Sequence, residues 1–191
     1  MQDRAQLAAE QWLRQRPDLD GFSMAVIGRL GELSQVITRD HLLPFFTEHG
    51  LQAGEFDLLA TLLRSGEPYA LMPTALYESA MISSGGMTSR IDRLEKAGLI
   101  ERRKHPSDRR GVLVALTSAG FELIDGILEA HVANLQRVLS GLTAAEQRTL
   151  HELHGKCWRG WLYGMGCDRG LLAVPTLKNG SWRARLNGAS A

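Results

Sequence analysis

One β-hairpin pattern interrupts a chain that otherwise has helical periodicity. The runs Leu99–Lys104 and Val112–Leu116 are short and strand-like, and the basic loop His105–Gly111 between them contains Pro106. This arrangement predicts two antiparallel strands with a long tip. Because helices and strands do not alternate along the rest of the chain, a doubly wound α/β architecture is not expected. The sequence therefore predicts a mostly α fold with one small β-hairpin.

Apolar spacing predicts three helices in the first third of the chain. The first covers about 5–13 and ends before Pro17. The second takes Ser23 as its N-cap, is kinked or ended by Pro44 and closes at 49–50, and the third covers about 54–65. The buried stripe predicted for the second helix is Ile27, Leu30, Leu33 and Ile37.

Two more helices precede the hairpin and two follow it. Pro73 suits the first turn of a short helix, and Ser83 is the predicted N-cap of the next, which Gly98 ends. Thr117 caps a long helix, and the capping box Leu142–Glu146 opens a last one that runs to about residue 164. The inward positions of the helix before the hairpin are Met87, Ile91 and Leu94.

The composition is that of an ordinary globular protein, with 191 residues and a net charge of +1. Cys157 and Cys167 are too few for a disulfide framework, and no apolar run reaches the ~18 residues that a membrane span needs. The first ten residues lack the apolar segment of a signal peptide. We expect a cytoplasmic protein that does not associate with membranes.

The basic residues are concentrated in one stretch, although the chain as a whole is almost neutral. Eight of the 22 lysines and arginines lie in the 21 residues from Arg90 to Arg110, with only four acids among them. Most runs of charge are solvated surface, and that interpretation stays open here. Against it, the cluster falls on a helix and an adjoining hairpin, which fit the major and the minor groove of one DNA duplex.

The helical wheel separates a core side from a polar side in the helix before the hairpin. Small and polar residues at its N-terminal end allow close approach to base edges and phosphates, whereas Arg90 lies on the flank. The DNA-contacting residues predicted on the helix are Ser83, Ser84, Gly85, Thr88, Ser89 and Arg93. Those predicted on the hairpin are Arg103, Asp108, Arg109 and Arg110, with Asp108 fixing the loop.

The stretch from residue 55 to residue 117 resembles the MarR family of bacterial repressors. The motifs that carry the resemblance are Glu55–Leu59, Ile82–Thr88, Asp92–Ile100 and Asp108–Arg110, followed by Leu116 and Thr117. The resemblance implies a winged helix-turn-helix in each chain of an intertwined helical homodimer that binds double-stranded DNA. We expect a division into N-terminal helices for the ligand cleft and dimerisation (1–50), a DNA-binding domain (51–116), dimerisation helices (117–165) and an irregular tail (166–191) that is longer than the family core requires.

A narrower resemblance, to the urate-responsive, PecS-like subgroup of that family, covers the N-terminal region. Its motifs are Trp12, Arg16–Asp20, Met24, Val26 and Gly28–Leu30. It implies that urate or a related purine is the effector, held by an aromatic face, an acceptor for ring N–H groups and two guanidinium groups. The residues that match the ligand set of the subgroup are Trp12, Asp57, Arg90 and Arg102.

Other interpretations remain open for these positions. Trp12 also fits a packing anchor, Asp57 a helix-surface acid and Arg90 a phosphate contact, and a MarR-type repressor can instead respond to a phenolic or carboxylate metabolite.

The donors His151, His154 and Cys157 drift around one helix, so we expect no metal site and no cofactor. No catalytic triad is evident, and we expect a DNA-binding protein rather than an enzyme.

Overall fold

The computed structural model describes residues 3–80, 86–108 and 111–164, with side chains up to residue 160. The described chain forms two compact units. The first contains the residues up to Phe56 together with Ile127–Gln147, and the second contains Asp57–Gly126 and the chain from Arg148 onwards. In chain order the elements are α1 (Arg4–Gln15), α2 (Gly21–Val36), a π-helical turn (Ile37–Leu42), α3 (Leu43–Glu48), α4 (Glu55–Arg64), β1 (Ala70–Leu71), α5 (Pro73–Ser79), α6 (Met87–Lys96), β2 (Ile100–Lys104), β3 (Val112–Leu116), α7 (Ser118–Leu139) and α8 (Ala144–Gly164).

Helix α2 begins earlier than the sequence pattern predicts. Asp20 is the N-cap, and its carboxylate accepts hydrogen bonds from the backbone N–H and the hydroxyl of Ser23. These bonds lower the pKa of Asp20 below its ordinary value. The prediction that Ser23 caps this helix is therefore wrong. A carboxylate at this position accepts from the exposed N–H groups and also interacts favourably with the helix dipole.

Small residues bring α1 and α2 into close contact. Ala5 and Ala9 of α1 and Ala25 of α2 are buried. A Cβ atom added to Gly28 would lie 3.0 Å from the Cβ of Ala5. Arg29 donates to Asp3 over 2.7 Å, and this ion pair adds a polar contact at the edge of the helix pair.

The apolar stripe predicted for α2 is not buried in the chain. Ile27 is 64% exposed, Leu33 50% and Leu30 38%, whereas Ile37 is half-buried. The prediction was wrong because α1 packs on the opposite, small-residue face of α2. Apolar periodicity alone cannot decide between these two faces when one of them allows much closer backbone approach.

Pro44 does not end the second helical segment, but the helix widens into a π-turn just before it. Pro44 is the second residue of α3, a position that tolerates proline, and it has no N–H to donate to the preceding turn. Asn134 of α7, which is buried, donates its side-chain amide to the carbonyl oxygen of His41 in this turn over 2.7 Å. The hydrogen bond ties the irregular turn to α7 within the first unit.

Aromatic rings fill the space beside this turn. Phe46 stacks on Phe56 with 4.9 Å between ring centroids, and the imidazole of His131 lies 4.3 Å from the Phe56 ring. The Nδ1 atom of His131 is buried and has no hydrogen-bond partner among the described residues. Burial lowers the pKa of His131, since the charged imidazolium is poorly solvated here.

The second unit confirms the predicted hairpin and adds a third strand. β2 and β3 pair antiparallel, with Ile100 opposite Leu116, and β1 pairs with the other edge of β3 through Ala70 and Ala115. The short β1 has no periodicity of its own and was not predicted. The core beneath the sheet includes the fully buried side chains Leu58, Leu59, Leu62, Leu76, Leu94, Ile100, Val114 and Ile124.

The inward face of α6 matches its prediction, whereas its start does not. Met87, Ile91 and Leu94 are buried, and Gly98 takes a left-handed conformation (φ 73°) after the helix. The N-cap is Gly86, with φ 78°, so Ser83 is not the cap of this helix. Ser83 itself lies outside the described residues. The helix therefore begins at a glycine turn that serine capping preferences do not predict.

Local hydrogen bonds at the starts of the two long helices confirm the predicted caps. Thr117 Oγ1 accepts from the N–H of Gly120 over 3.0 Å. Thr143 and Glu146 form a reciprocal capping box, in which the N–H of Thr143 donates to the Glu146 carboxylate over 2.7 Å. None of the helices in the described parts of the chain combines the length and the apolar character that crossing a bilayer requires.

Candidate nucleic-acid interface

The first turn of α6 presents short polar side chains to solvent. Thr88 and Ser89 are exposed, and the Ser89 hydroxyl donates to the carbonyl oxygen of Gly86 over 2.8 Å. Arg93, one turn further on, is half-buried. This end of the helix is narrow enough for close approach to a groove. Ser83, Ser84 and Gly85, also predicted to contact DNA, lie outside the described residues.

The hairpin carries exposed basic residues on β2. Arg103 is exposed, and its guanidinium donates to Glu101 of the same strand over 2.8 Å from Nε. The prediction for Arg109 and Arg110 falls outside the described residues. Asp108, next to them, is exposed. The described part of the hairpin thus places one predicted basic residue on an accessible strand.

His105 organises the loop at the end of β2, and sequence reasoning missed this residue. Its Nδ1 accepts from the backbone N–H groups of Ser107 (3.3 Å) and Asp108 (3.1 Å). The backbone N–H of His105 donates to the carbonyl oxygen of Gly111 over 3.0 Å, which closes the base of the loop. The available signal was a histidine directly before Pro106 at the start of a turn, where a ring nitrogen can accept from following N–H groups.

Arg102, the neighbour of Arg103, bonds to two carboxylates on α6. Its Nη2 donates to Asp92 Oδ1 over 2.5 Å, its Nη1 donates to Glu95, and its backbone N–H donates to Glu95 Oε1 over 3.1 Å. The bond to Asp92 is the main cause that raises the pKa of Arg102. From the sequence alone, Asp92 and Glu95 could be recognised only as two acids within the basic cluster. Their three-residue spacing, which places both on one helix face, was the signal for a shared partner.

The four predicted effector residues are distributed over both units. Trp12 lies on α1 in the first unit and is 54% exposed. Asp57 on α4 and Arg90 on α6 are half-buried in the second unit. The guanidinium of Arg90 lies over the start of α6, 3.8 Å from the position of a Cβ on Gly86, whereas Arg102 lies beside the second half of that helix.

Comparison with known proteins identifies relatives over most of the chain. Residues 51–112 match the model of the MarR family. The chain is 44% identical over 147 residues to the HTH-type transcriptional regulator PecS of Dickeya dadantii, which covers 77% of this chain and 88% of PecS.

Two solved structures extend the comparison to the fold. Sco3205 of Streptomyces coelicolor, a MarR family transcriptional regulator in complex with DNA, superposes with a TM-score of 0.66 at 26% identity, covering 74% of this chain and 89% of Sco3205. BpsR of Bordetella bronchiseptica, whose DNA binding is regulated by 6-hydroxynicotinic acid, superposes with a TM-score of 0.56 at 26% identity, covering 68% of this chain and 98% of BpsR.

These matches agree with the winged helix-turn-helix built by α4, α5, α6 and the three-stranded sheet. They also agree with the exposed polar turn of α6 beside a hairpin that carries arginines. The predicted mostly helical, winged helix-turn-helix fold of the chain and the predicted DNA-binding role are confirmed. The chain therefore belongs to the MarR family, whose members are DNA-binding transcriptional regulators and not enzymes.

Proposed function

We propose that the protein is a repressor that binds a palindromic operator as a homodimer and is released from it by urate or a related purine. The observation that carries the DNA-binding part is the exposed first turn of α6, with Thr88 and Ser89, next to a hairpin with arginine on its accessible strand. The effector part is supported by the matching positions of Trp12, Asp57, Arg90 and Arg102.

In this proposal α6 reads the major groove and the hairpin enters the minor groove. Short polar side chains and Arg93 contact base edges and phosphates, while arginine at the loop tip reads the shape of a narrow minor groove. The proposed contacts are Ser83, Ser84, Gly85, Thr88, Ser89, Arg93, Arg103, Asp108, Arg109 and Arg110.

Replacing Arg109 and Arg110 together by alanine tests the role of the loop tip. The variant is expected to lose most of its operator affinity and to keep its melting temperature, because the substitutions remove contacts to DNA and not to the protein core. Arg148→Ala combined with Lys156→Ala, two exposed cations on α8, is the control for loss of two positive charges, with sedimentation to check that this variant still pairs like the wild type. If the double variant binds the operator like the wild type, the assignment of the loop tip is wrong.

Dimerisation is supported by exposed apolar side chains on the helices outside the DNA-binding region. Phe22 is 79% exposed on α2, and Val132 on α7 and Leu153 on α8 are also accessible. Exposed apolar surface of this extent favours a protein partner, and we assign pairing of two chains to residues 1–50 and 117–165. The half-sites are expected about one helical turn, ~10 base pairs, apart.

Sedimentation and salt titration test this part of the proposal. A dimer is expected at micromolar concentration, and operator affinity is expected to fall steeply with salt, because several cations displace counterions from phosphates. A monomer under these conditions, or binding that does not depend on salt, contradicts it.

The proposed effector site combines an aromatic ring, a carboxylate and two guanidinium groups. Urate is a flat monoanion at neutral pH, so it can lie against Trp12, pair with Arg90 or Arg102 and donate a ring N–H to Asp57. The effector of BpsR, 6-hydroxynicotinic acid, is likewise a flat heteroaromatic acid. In this proposal Asp57 and an arginine hold one another in the absence of ligand. The extra negative charge of bound ligand near Asp57 is expected to force that pair apart and shift α6.

Operator titrations with and without ligand, together with calorimetry on the free protein, test the effector. A coupling of ~1–3 kcal/mol weakens DNA binding about 5- to 150-fold. Arg90→Ala and Asp57→Ala are expected to lose the response to urate but to bind the operator, and Trp12→Phe keeps part of the response. Parallel titrations with xanthine, salicylate and citrate separate a purine effector from phenolic or carboxylate effectors. If urate neither binds nor lowers DNA affinity, the urate assignment is wrong.

A further inference from the structure

Arg102 connects the two elements of the second unit that are proposed to contact DNA. Three hydrogen bonds leave this single residue of β2, and all of them end on carboxylates of α6. The backbone N–H and one end of the guanidinium reach Glu95, and the other end reaches Asp92. An arginine that donates from its planar fork to two acceptors is held in one orientation more firmly than a lysine would be.

The position of these bonds complements the buried contacts of the same elements. Leu94 of α6 and Ile100 of β2 are both buried in the core, so they fix the inner side of the helix. Asp92 and Glu95 lie on the accessible side, where Arg102 bonds to them. Rotation of α6 about its axis is therefore opposed from the core and from the surface.

The neighbouring ion pair, formed by Arg103, does not connect α6 to the hairpin. Arg103 donates to Glu101, two residues away in the same strand, and so connects no separate elements. The two arginines are adjacent, and both are accessible to solvent. The pair of Arg103 and Glu101 is thus a matched control for that of Arg102 with Asp92 and Glu95.

We infer that Arg102 is a positioning residue, which holds α6 and the hairpin in the relative orientation that lets both contact one duplex. The inference rests on the proposed operator binding but not on the identity of the effector. It also gives a route for release, since an anion that draws the guanidinium away from Asp92 and Glu95 frees α6 to rotate.

The direction of the change in operator affinity distinguishes this positioning role from a simple effect of charge. Replacing Asp92 and Glu95 together by alanine removes two negative charges near the proposed DNA surface, and charge alone predicts tighter operator binding. The positioning role predicts the opposite, a loss of about 3- to 10-fold, because accessible ion pairs contribute modestly and here two act together. Glu101→Ala, which releases Arg103 without separating elements, is expected to leave affinity unchanged or to raise it.

A charge exchange provides the second arm. Arg102→Glu weakens operator binding, and combining it with Glu95→Arg is expected to recover a large part of the loss, because the bond between α6 and β2 forms again with reversed polarity. Thermal melting of each variant checks that the fold is intact. The inference is wrong if the variant lacking Asp92 and Glu95 binds the operator more tightly than the wild type, or if the exchanged variant recovers no operator affinity. Neither result contradicts the operator role. A wild-type chain that does not bind the operator refutes the proposed function and this inference with it.

Discussion

Gly120, the third residue of α7, lies against the backbone of the turn between α6 and β2. A Cβ atom added there would be 1.9 Å from the carbonyl oxygen of Leu99, far inside van der Waals contact. That oxygen also accepts a hydrogen bond from the N–H of Thr117 over 3.1 Å. Since the obstacle is backbone and not a flexible side chain, Gly120→Ala must move α7 or the turn.

The expected loss of stability combines two effects. Inserting a methyl group into a packed site costs about 1–3 kcal/mol, and breaking the hydrogen bond from Thr117 to Leu99 adds about 1 kcal/mol. The free energy of unfolding should therefore fall by about 2–4 kcal/mol. For a chain of this size the melting temperature should drop by about 5–15 °C.

Thermal and urea unfolding at one fixed protein concentration measure this change, because the melting temperature of a dimer depends on concentration. Gly126→Ala is the matched control on the same helix: a Cβ there meets no atom within 4 Å. Alanine should stabilise that position by about 0.5–1 kcal/mol, since glycine loses more entropy on folding. If Gly120→Ala unfolds within about 1 kcal/mol of the wild type, the close approach of α7 to the turn is wrong.

Three further perturbations test other parts of the structure. Gly28→Leu should detach α1 from α2 and increase hydrogen exchange in α1, whereas Gly31→Ala, whose added Cβ meets no atom within 4 Å, should not. Burial lowers the pKa of His131, so the unfolded chain binds a proton at this residue more readily than the folded chain. The contribution of neutral His131 to the free energy of unfolding should therefore be fully present above about pH 6.5 and decrease below it. In a pH titration of unfolding, His131→Leu should remove this decrease. His105→Ala should remove the acceptor for two loop N–H groups and weaken operator binding about 3- to 10-fold in a gel shift with little change in melting temperature; unchanged affinity would show that the loop keeps its shape without the imidazole.

Features whose causes are local could be predicted from the sequence. The two strands of the hairpin follow from short strand-like runs on either side of a loop bounded by proline and glycine. In the structure β2 begins one residue later than predicted, and β3 has the predicted bounds. The stop at Gly98 and the cap at Thr117 also depend on residues close together in the chain. The predicted core positions of α6 were correct because a helix that packs one face on the core and exposes the other shows its inward face in its apolar spacing.

The candidate site was predictable in its residue types and location but not in its internal contacts. The basic cluster and the polar first turn of α6 are visible in the sequence. The bonds from Arg102 to Asp92 and Glu95 span seven to ten positions and join a strand to a helix, so they depend on how β2 packs beside α6. The role of His105 required the loop to bring two backbone N–H groups to one ring nitrogen.

The sequence by itself determined which segments are helices, where the hairpin lies and which family the motifs indicate, because capping, turn preference and apolar period act over a few residues. Only the tertiary structure decided which face of α2 is covered, since Ala5 and Gly28 must first come into contact. It also created β1, whose two residues become a strand only by pairing with the edge of β3. These features arise from contacts between distant segments, whose free energy is gained only when both segments are already in place.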